Sequence, residues 1–249
     1  MDWAVTARTF EPHVRDMIAD HELDVWLIVD TSSSLGFGTA LAQKHEIAWS
    51  VAGAFALLAS TGGNRVGAAR TTPAPSRSRP LMVPARGGSA HAGAVLATLR
   101  QPPREGEAGD LAATIEMVAR VARRRGMVVV ISDFLGDAGW ERPMRSLAHK
   151  HDLVAVEVVD PRELDLPDVG LVAVVDPETG RKRLVDTSVP AVRSSYTNLA
   201  RSRRAETAHR LAQCRADHLV LRTDRDWVLD FVLFVSGRKA RLASAGRPR

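Results

Sequence analysis

Asp30, Ser32 and Ser34 stand on alternate residues directly after an apolar run, in the stretch VWLIVDTSSSL. A second apolar run, Met127 to Ser132, stops on Asp133, and a third, Leu153 to Val159, stops on Asp160. Carboxylates and hydroxyls are hard oxygen donors. They suit a small divalent cation such as Mg²⁺ or Mn²⁺; Mg²⁺ wants an octahedron of oxygens at about 2.0–2.1 Å. One carboxylate and two hydroxyls from a single turn, a second carboxylate from Asp133 and a few waters fill most of that octahedron. Two carboxylates without a counter-ion repel until one takes up a proton, and a bound cation removes the conflict. Asp160 precedes Pro161 and reads as the start of a turn, so it stays outside the set. Asp-x-Ser-x-Ser alone is a weak signal, because Ser and Asp are ordinary turn and cap residues. Its context is more specific: a strand before it, a helix after it, and ISDF at the end of another strand.

The surrounding pattern must bring residues some 100 positions apart to one place. Asp24–Val29, Met127–Ser132 and Leu153–Val159 are continuous apolar runs, as expected of strands covered on both faces. Arg65–Arg70 and His218–Leu221 are shorter strand candidates. LMVPA is an edge candidate, because Pro84 has no N–H for a ladder. Helices are expected over 40–59, 89–99, 110–125, 140–149, 191–215 and 227–235, and a hairpin over Leu171–Val175 and Arg183–Val185, around the turn sequence DPETG. TTPAPSRSRP and RQPPREGEAG read as loops. Strands alternating with helices predict an α/β fold, a doubly wound and mostly parallel sheet with helices on both faces. Such a sheet gathers its C-terminal strand ends along one edge, where ligands bind if strand order reverses. The expected organisation is one domain over 1–236, with an N-terminal extension over 1–22 and a disordered basic tail over 237–249.

Composition excludes several classes. The chain has 249 residues, 45% of them hydrophobic, enough for one large core. A single cysteine, Cys214, rules out an internal disulfide and fits a cytoplasmic setting. No signal peptide is visible, and the longest apolar run, Ile47–Ser60, is shorter than the roughly 18–20 residues of a membrane span. The net charge of +5 sits in the last 13 residues, which hold five basic groups and no acid. The remaining body is neutral and poorly suited to tracking phosphates, so no nucleic-acid partner is expected. A nucleotide-binding P-loop and a Gly-x-Ser-x-Gly elbow are both absent. A Mg²⁺-dependent phosphatase using Asp30 as nucleophile is the alternative chemistry, although such sites want a second aspartate where Ser32 stands.

These residues resemble a known family. DTSSS after an apolar strand, with ISDF later, is similar to the metal-ion-dependent adhesion site of von Willebrand factor A domains. Four ordered motifs resemble a bacterial branch of that group, the domain of unknown function number 58: DWAVTART at Asp2–Thr9, VWLIVDTSSSL at Val25–Leu35, VVVISDF at Val128–Phe134, and VVDPRELDLPDVG at Val158–Gly170. The resemblance implies a protein–protein interaction scaffold, not an enzyme, working with a MoxR-type AAA+ ATPase. It implies that Ser32 and Ser34 contact the cation, that Asp30 and Asp133 hold it through water, and that a partner's acidic side chain completes the shell. Ser33, Leu35, Gly109 and Phe134 are the expected partner contacts. The pattern departs at AGDL, Ala108–Leu111, where Gly109 stands in place of the usual threonine. Asp110 beside it is the candidate substitute, while Thr114 lies a full turn further on. Members of that branch also carry a longer region before DW, so 1–22 is expected to be a shortened extension.

Overall fold

Val25, Leu27 and Val29 face one side of strand β1 (Asp24–Val29), and Trp26 and Ile28 face the other; all are buried. That alternation is the two-residue period of a strand, with apolar layers on both faces. Burying each such side chain is worth about 1.5–3 kcal/mol. The computed structural model describes residues 22–71, 81–100, 109–136, 138–175 and 181–245. The expected DW motif, residues 72–80 and 101–108 of the two Pro-rich loops and the DPETG turn fall outside the described residues.

Six strands form the main sheet: β1, β2 (Arg65–Arg70), β3 (Leu81–Arg86), β4 (Gly126–Ser132), β5 (Asp152–Val159) and β8 (Asp217–Arg222), in the order β3-β2-β1-β4-β5-β8. All neighbouring pairs are parallel except β2–β3, the edge that carries Pro84. Helices α1 (Lys44–Thr61), α2 (Ser89–Leu99) and α6 (Trp227–Ala245) pack on the Leu27 face. The Ile28 face is covered by α3 (Leu111–Val121), α4 (Glu141–Ala148) and the end of α5 (Pro190–Gln213), through Leu211 and Cys214. A separate hairpin, β6 (Leu171–Val175) with β7 (Lys182–Asp186), stands off the sheet with Leu171 and Leu184 exposed. From β1 the chain winds outward through β2 to β3, then returns to β4 and winds the other way. Strand order therefore reverses between β1 and β4, and the crevice of a doubly wound sheet opens there. The two strands approach closely at their start: a Cβ on Gly126 would lie 1.9 Å from the Asp24 carbonyl oxygen, so only glycine fits.

Two boundaries differ from expectation in ways that matter. The first helix starts at Lys44, not Ala40, because Ser33–Gly36 forms a 3₁₀ turn and a capping box opens α1: Glu46 accepts from the Gln43 N–H at 2.8 Å. Leu41, which lies ahead of that start, is exposed. The C-terminal correction is larger. Residues 237–245 continue α6 as a helix, since Arg238 is anchored to Asp217 at 2.6 Å and to Asp152 at 2.5 Å. Among the described residues, no helix is long and apolar enough to cross a membrane.

Candidate functional site

The reversal point of the sheet carries the two aspartates. The Asp30 N–H donates to Ile131 O at 2.9 Å, continuing the β1–β4 ladder past the strand end. Ser132, the last residue of β4, donates its hydroxyl to Asp30 Oδ2 at 2.7 Å. Asp133 follows at once and lies close enough to push the Asp30 carboxyl further upward. The geometry therefore brings Asp30 and Asp133 to one spot on one edge.

Asp30 is held by neutral donors, and no cation among the described residues pairs with it. Oδ1 accepts from the Ser32 N–H at 2.9 Å and from the Thr71 hydroxyl at 3.1 Å, besides the Ser132 bond to Oδ2. Burial raises its carboxyl above the ordinary range and Asp133 raises it further; the Ser132, Ser32 and Thr71 donors pull back without prevailing. The Ser32 and Ser34 hydroxyls sit 3.0 Å apart in the 3₁₀ turn. Asp133 is served differently. Its Oδ2 accepts from the Lys44 ammonium at 2.7 Å and its Oδ1 from the Leu135 N–H at 3.2 Å. Lys44 is fully buried and also pairs with Glu163. Burial pulls the Lys44 ammonium down, yet Asp133 and Glu163 outweigh it and the net shift is upward. Burial lifts Glu163 as well; Lys44 opposes and Asp133 adds, leaving it raised. Asp133 and Glu163 thus share one ammonium while Asp30 has none, so the cluster of three lacks two positive charges when all are ionised.

Asp160 is a loop anchor. Its carboxylate accepts from the Thr39 N–H (2.8 Å) and hydroxyl (2.6 Å), the Thr223 hydroxyl (2.7 Å) and the Arg162 N–H (2.9 Å). Burial alone would raise its carboxyl, but the Thr39, Thr223 and Arg162 donors win and hold it below the ordinary range. It ties the loop after β1 to the ends of β5 and β8, and so fixes the path on which Ser32 and Ser34 lie.

The other sequence candidates are placed elsewhere. Asp110 caps α3, its Oδ1 accepting from the Ala113 N–H at 2.8 Å, and Thr114 donates back to Asp110 O. Neither is bonded to Asp30. Leu35 is fully buried and Phe134 nearly so, the latter edge-on to Trp140 with ring centroids 5.2 Å apart. Apolar side chains there join the interior, so these two are not partner contacts; Phe37 and Leu135, next along, carry the exposed apolar surface. Ser33 is buried too. Phe134 adopts a left-handed φ of 53° in the turn after β4, where the Ser132 hydroxyl accepts its N–H at 3.0 Å. Gly109 does reach the site. A Cβ there would lie 2.6 Å from Thr71 Oγ1 and 2.9 Å from Asp30 Oδ1, so Thr71 fills the space a side chain at 109 would need.

Sequence reasoning missed Thr71, Lys44 and Glu163. Thr71 was signalled by a hydroxyl directly after a strand, and it bonds Thr31 twice: the Thr31 N–H donates to Oγ1 at 2.8 Å and the Thr31 hydroxyl to the Thr71 carbonyl at 2.9 Å. Glu163 lies within the DPRE motif. Nothing local marks Lys44, a lysine at a helix start.

Chemically, the edge offers one uncompensated carboxylate and two adjacent hydroxyls. Among the described residues no group of three or more His, Cys, Asp or Glu side chains forms a metal cluster. An octahedron with bonds near 2.1 Å has edges of about 3.0 Å, and the two serine oxygens stand at that separation. A carboxylate has about four lone-pair sites, and three of those on Asp30 are occupied. The donor set therefore fits a weakly held divalent cation.

Comparison with known proteins places this geometry. Residues 1–206 match the family described as protein of unknown function DUF58. An uncharacterized protein of Mycobacterium tuberculosis is 48% identical over 248 residues, 99% of this chain and 76% of its own length. Another, from Mycobacterium avium, is 44% identical over 169 residues, 66% of this chain and 98% of its own. Among solved structures, the conserved hypothetical protein BatB from Bacteroides thetaiotaomicron is similar at TM-score 0.53 and 13% identity, over 87% of this chain and 98% of that one. An aerotolerance-related membrane protein from Bacteroides fragilis gives TM-score 0.50 and 15% identity, over 84% and 96%. At these identities the likeness is one of fold.

Proposed function

The chain belongs to the DUF58 family and has a von Willebrand factor A-like fold, and from that premise we propose that it is a non-catalytic interaction module working at the β1–β4 edge. In this reading Asp30, Ser32 and Ser34 hold Mg²⁺ or Mn²⁺, Asp133 lies behind them, and an acidic side chain of a protein partner completes the shell. The partner implied by the sequence resemblance is a MoxR-type AAA+ ATPase. The observation that carries the reading is the charge imbalance: one ammonium, Lys44, serves Asp133 and Glu163, while Asp30 accepts only neutral donors, among them the N–H of Ser32, whose hydroxyl pairs with that of Ser34. The cation would supply an electropositive point with an exchangeable position. The chain's own residues orient it, through Ser132 and Thr71 on Asp30 and through Asp160 on the loop.

The phosphatase alternative wants a second aspartate two residues after Asp30, and Ser32 stands there. Titration with Mg²⁺ tests the proposal. For a Kd of about 1 mM, 10 mM Mg²⁺ stabilises the fold by about 1.4 kcal/mol, a rise in melting temperature of about 3–5 °C for a chain this size. Ser34→Ala should remove the rise while leaving the melt in EDTA close to that of the unaltered protein. The same melting temperature with Mg²⁺, Mn²⁺ and EDTA refutes the cation site.

A further inference from the structure

We propose that a second recognition pocket adjoins the cation edge and takes one aliphatic or aromatic side chain of a partner that carries a carboxylate beside it. This rests on the interaction reading above and narrows the partner to an acidic-hydrophobic segment. The pocket is a cavity of about 140 Å³ between the ends of β4 and β5, the Pro161–Glu163 turn and α5. Asp133 belongs to its wall as well as to the cation edge. Val159, Leu164, Leu199 and Ala200 give it an apolar lining, with Leu135 and Leu199 exposed at the mouth. An apolar cavity of about 150 Å³ accepts a benzene ring, so this one has room for a leucine or phenylalanine side chain.

The charges at the wall decide what accompanies that side chain. Asp133 and Glu163 are engaged by Lys44. Glu157 is engaged by Arg204 at 3.3 Å and His218 at 2.8 Å. The Tyr196 hydroxyl donates to the Arg162 carbonyl at 3.0 Å. Arg203 is the remaining charge of the lining; it is exposed and pairs with no carboxylate among the described residues. The side chain left without an ion-pair partner at the mouth is therefore a guanidinium, and a guanidinium fork binds carboxylate oxygens in pairs. Asp133 and Glu163 are both bonded to the buried Lys44 and Glu157 to Arg204, so the acids of the wall are tied into the protein while Arg203 stays open to a visitor.

The test uses the full chain in EDTA, with N-acetyl-leucine and N-acetyl-leucinamide as probes and methyl NMR as the readout. The acid should shift the Leu164 and Leu199 methyls with a millimolar Kd. The amide should bind about tenfold more weakly, the scale of one charge-assisted hydrogen bond. Arg203→Gln should bring the acid down to the level of the amide, and Ala200→Phe, which fills the cavity, should abolish both. Equal binding of acid and amide, no methyl shifts, or shifts that survive Ala200→Phe overturn the proposal. So does self-association on dilution series without probe that moves the same methyls, because the occupant is then a second copy. The assay contains no divalent ion, so absence of Mg²⁺ binding with retained N-acetyl-leucine binding sinks the cation site alone.

Discussion

Lys44→Met removes the only cation that the described residues place against Asp133 and Glu163. Breaking a buried ion pair by deleting one partner costs about 3–5 kcal/mol, because the other charge stays buried and uncompensated. Here two carboxylates lose the same partner, so the upper part of that range applies, about 4–5 kcal/mol. At about 2–4 °C per kcal/mol for a domain of this length, the melting temperature should fall by about 8–20 °C. Urea unfolding followed by tryptophan fluorescence reads the same loss as a lower midpoint with an unchanged slope. Acidification should shrink the deficit. Glu163 has a folded pKa above its ordinary value, so it weakens the fold once ionised; that penalty is absent below the ordinary pKa and grows as pH rises through the folded one. Without Lys44 the penalty is larger, so the variant recovers most on protonation. At alkaline pH the two proteins should also converge, since the stability Lys44 supplies is lost as pH rises through its raised folded pKa. Adding Asp133→Asn and Glu163→Gln to Lys44→Met should restore much of the stability, because no unpaired charge remains. A Lys44→Met protein within about 0.5 kcal/mol of the unaltered one at neutral pH, or a deficit that widens in acid, refutes the reasoning.

Gly109→Ala should destabilise by about 1–3 kcal/mol through overpacking, and less when combined with Thr71→Ala, since the nearest collision is with the Thr71 hydroxyl; additive melts would show that the two do not touch. Asp160→Ala leaves the Thr39, Thr223 and Arg162 donors without their acceptor and should cost about 3 kcal/mol or more by chemical denaturation. In the unaltered protein the Asp160 contribution is present above the ordinary aspartate pKa and is lost as pH falls through its depressed folded value, so Asp160→Ala should narrow the gap only in strong acid. Asp30 behaves in the opposite sense: its raised pKa makes its charge destabilising at neutral pH, so Asp30→Asn in EDTA should melt higher near pH 8, with the advantage fading as pH falls. Lower stability of Asp30→Asn at pH 8 in EDTA would contradict that assignment.

The sheet was legible because its signal is local. Asp24–Val29, Met127–Ser132 and Leu153–Val159 are apolar on both faces, and that pattern alone predicts parallel strands under helices. Convergence of Asp30 with Asp133 followed from the doubly wound topology. The hydroxyl pair and Asp30 could be named as one unit because they stand on alternate residues of a single turn. What escaped notice depends on tertiary contact. Lys44 meets Asp133 across 89 positions and Glu163 across 119, and neither spacing leaves a periodic trace. Leu35 and Phe134 were read as surface because they flank the motif, yet both turns fold their apolar side chains inward and expose Phe37 and Leu135 instead. The length of α6 was missed because its last residues look like a polar tail; ion pairs from Arg238 to strands β5 and β8 supply the order that composition conceals.

Three strands end in aspartate along one edge, and the fold gives the three carboxylates different states by giving them different partners. Asp160 receives four donors from the protein, which favour its charged form and turn it into a rigid pin. Asp133 receives an ammonium, so its charge is balanced inside the wall it forms. Asp30 receives three neutral donors in full burial beside Asp133, too little to offset desolvation and repulsion together. In the proposed reading, a carboxylate left in that condition at the reversal point of the sheet takes its positive charge from a bound cation. In that reading the pin holds the loop, the ammonium keeps the neighbouring acid from competing for the cation, and the remaining imbalance falls on Asp30, which accepts from the Ser32 N–H. Moving the ammonium is therefore the sharpest way to change selectivity. With Lys44→Met and Glu163→Gln together, Asp133 should compete for Mg²⁺, and the bound ion should become less sensitive to Ser34→Ala than it is in the unaltered chain.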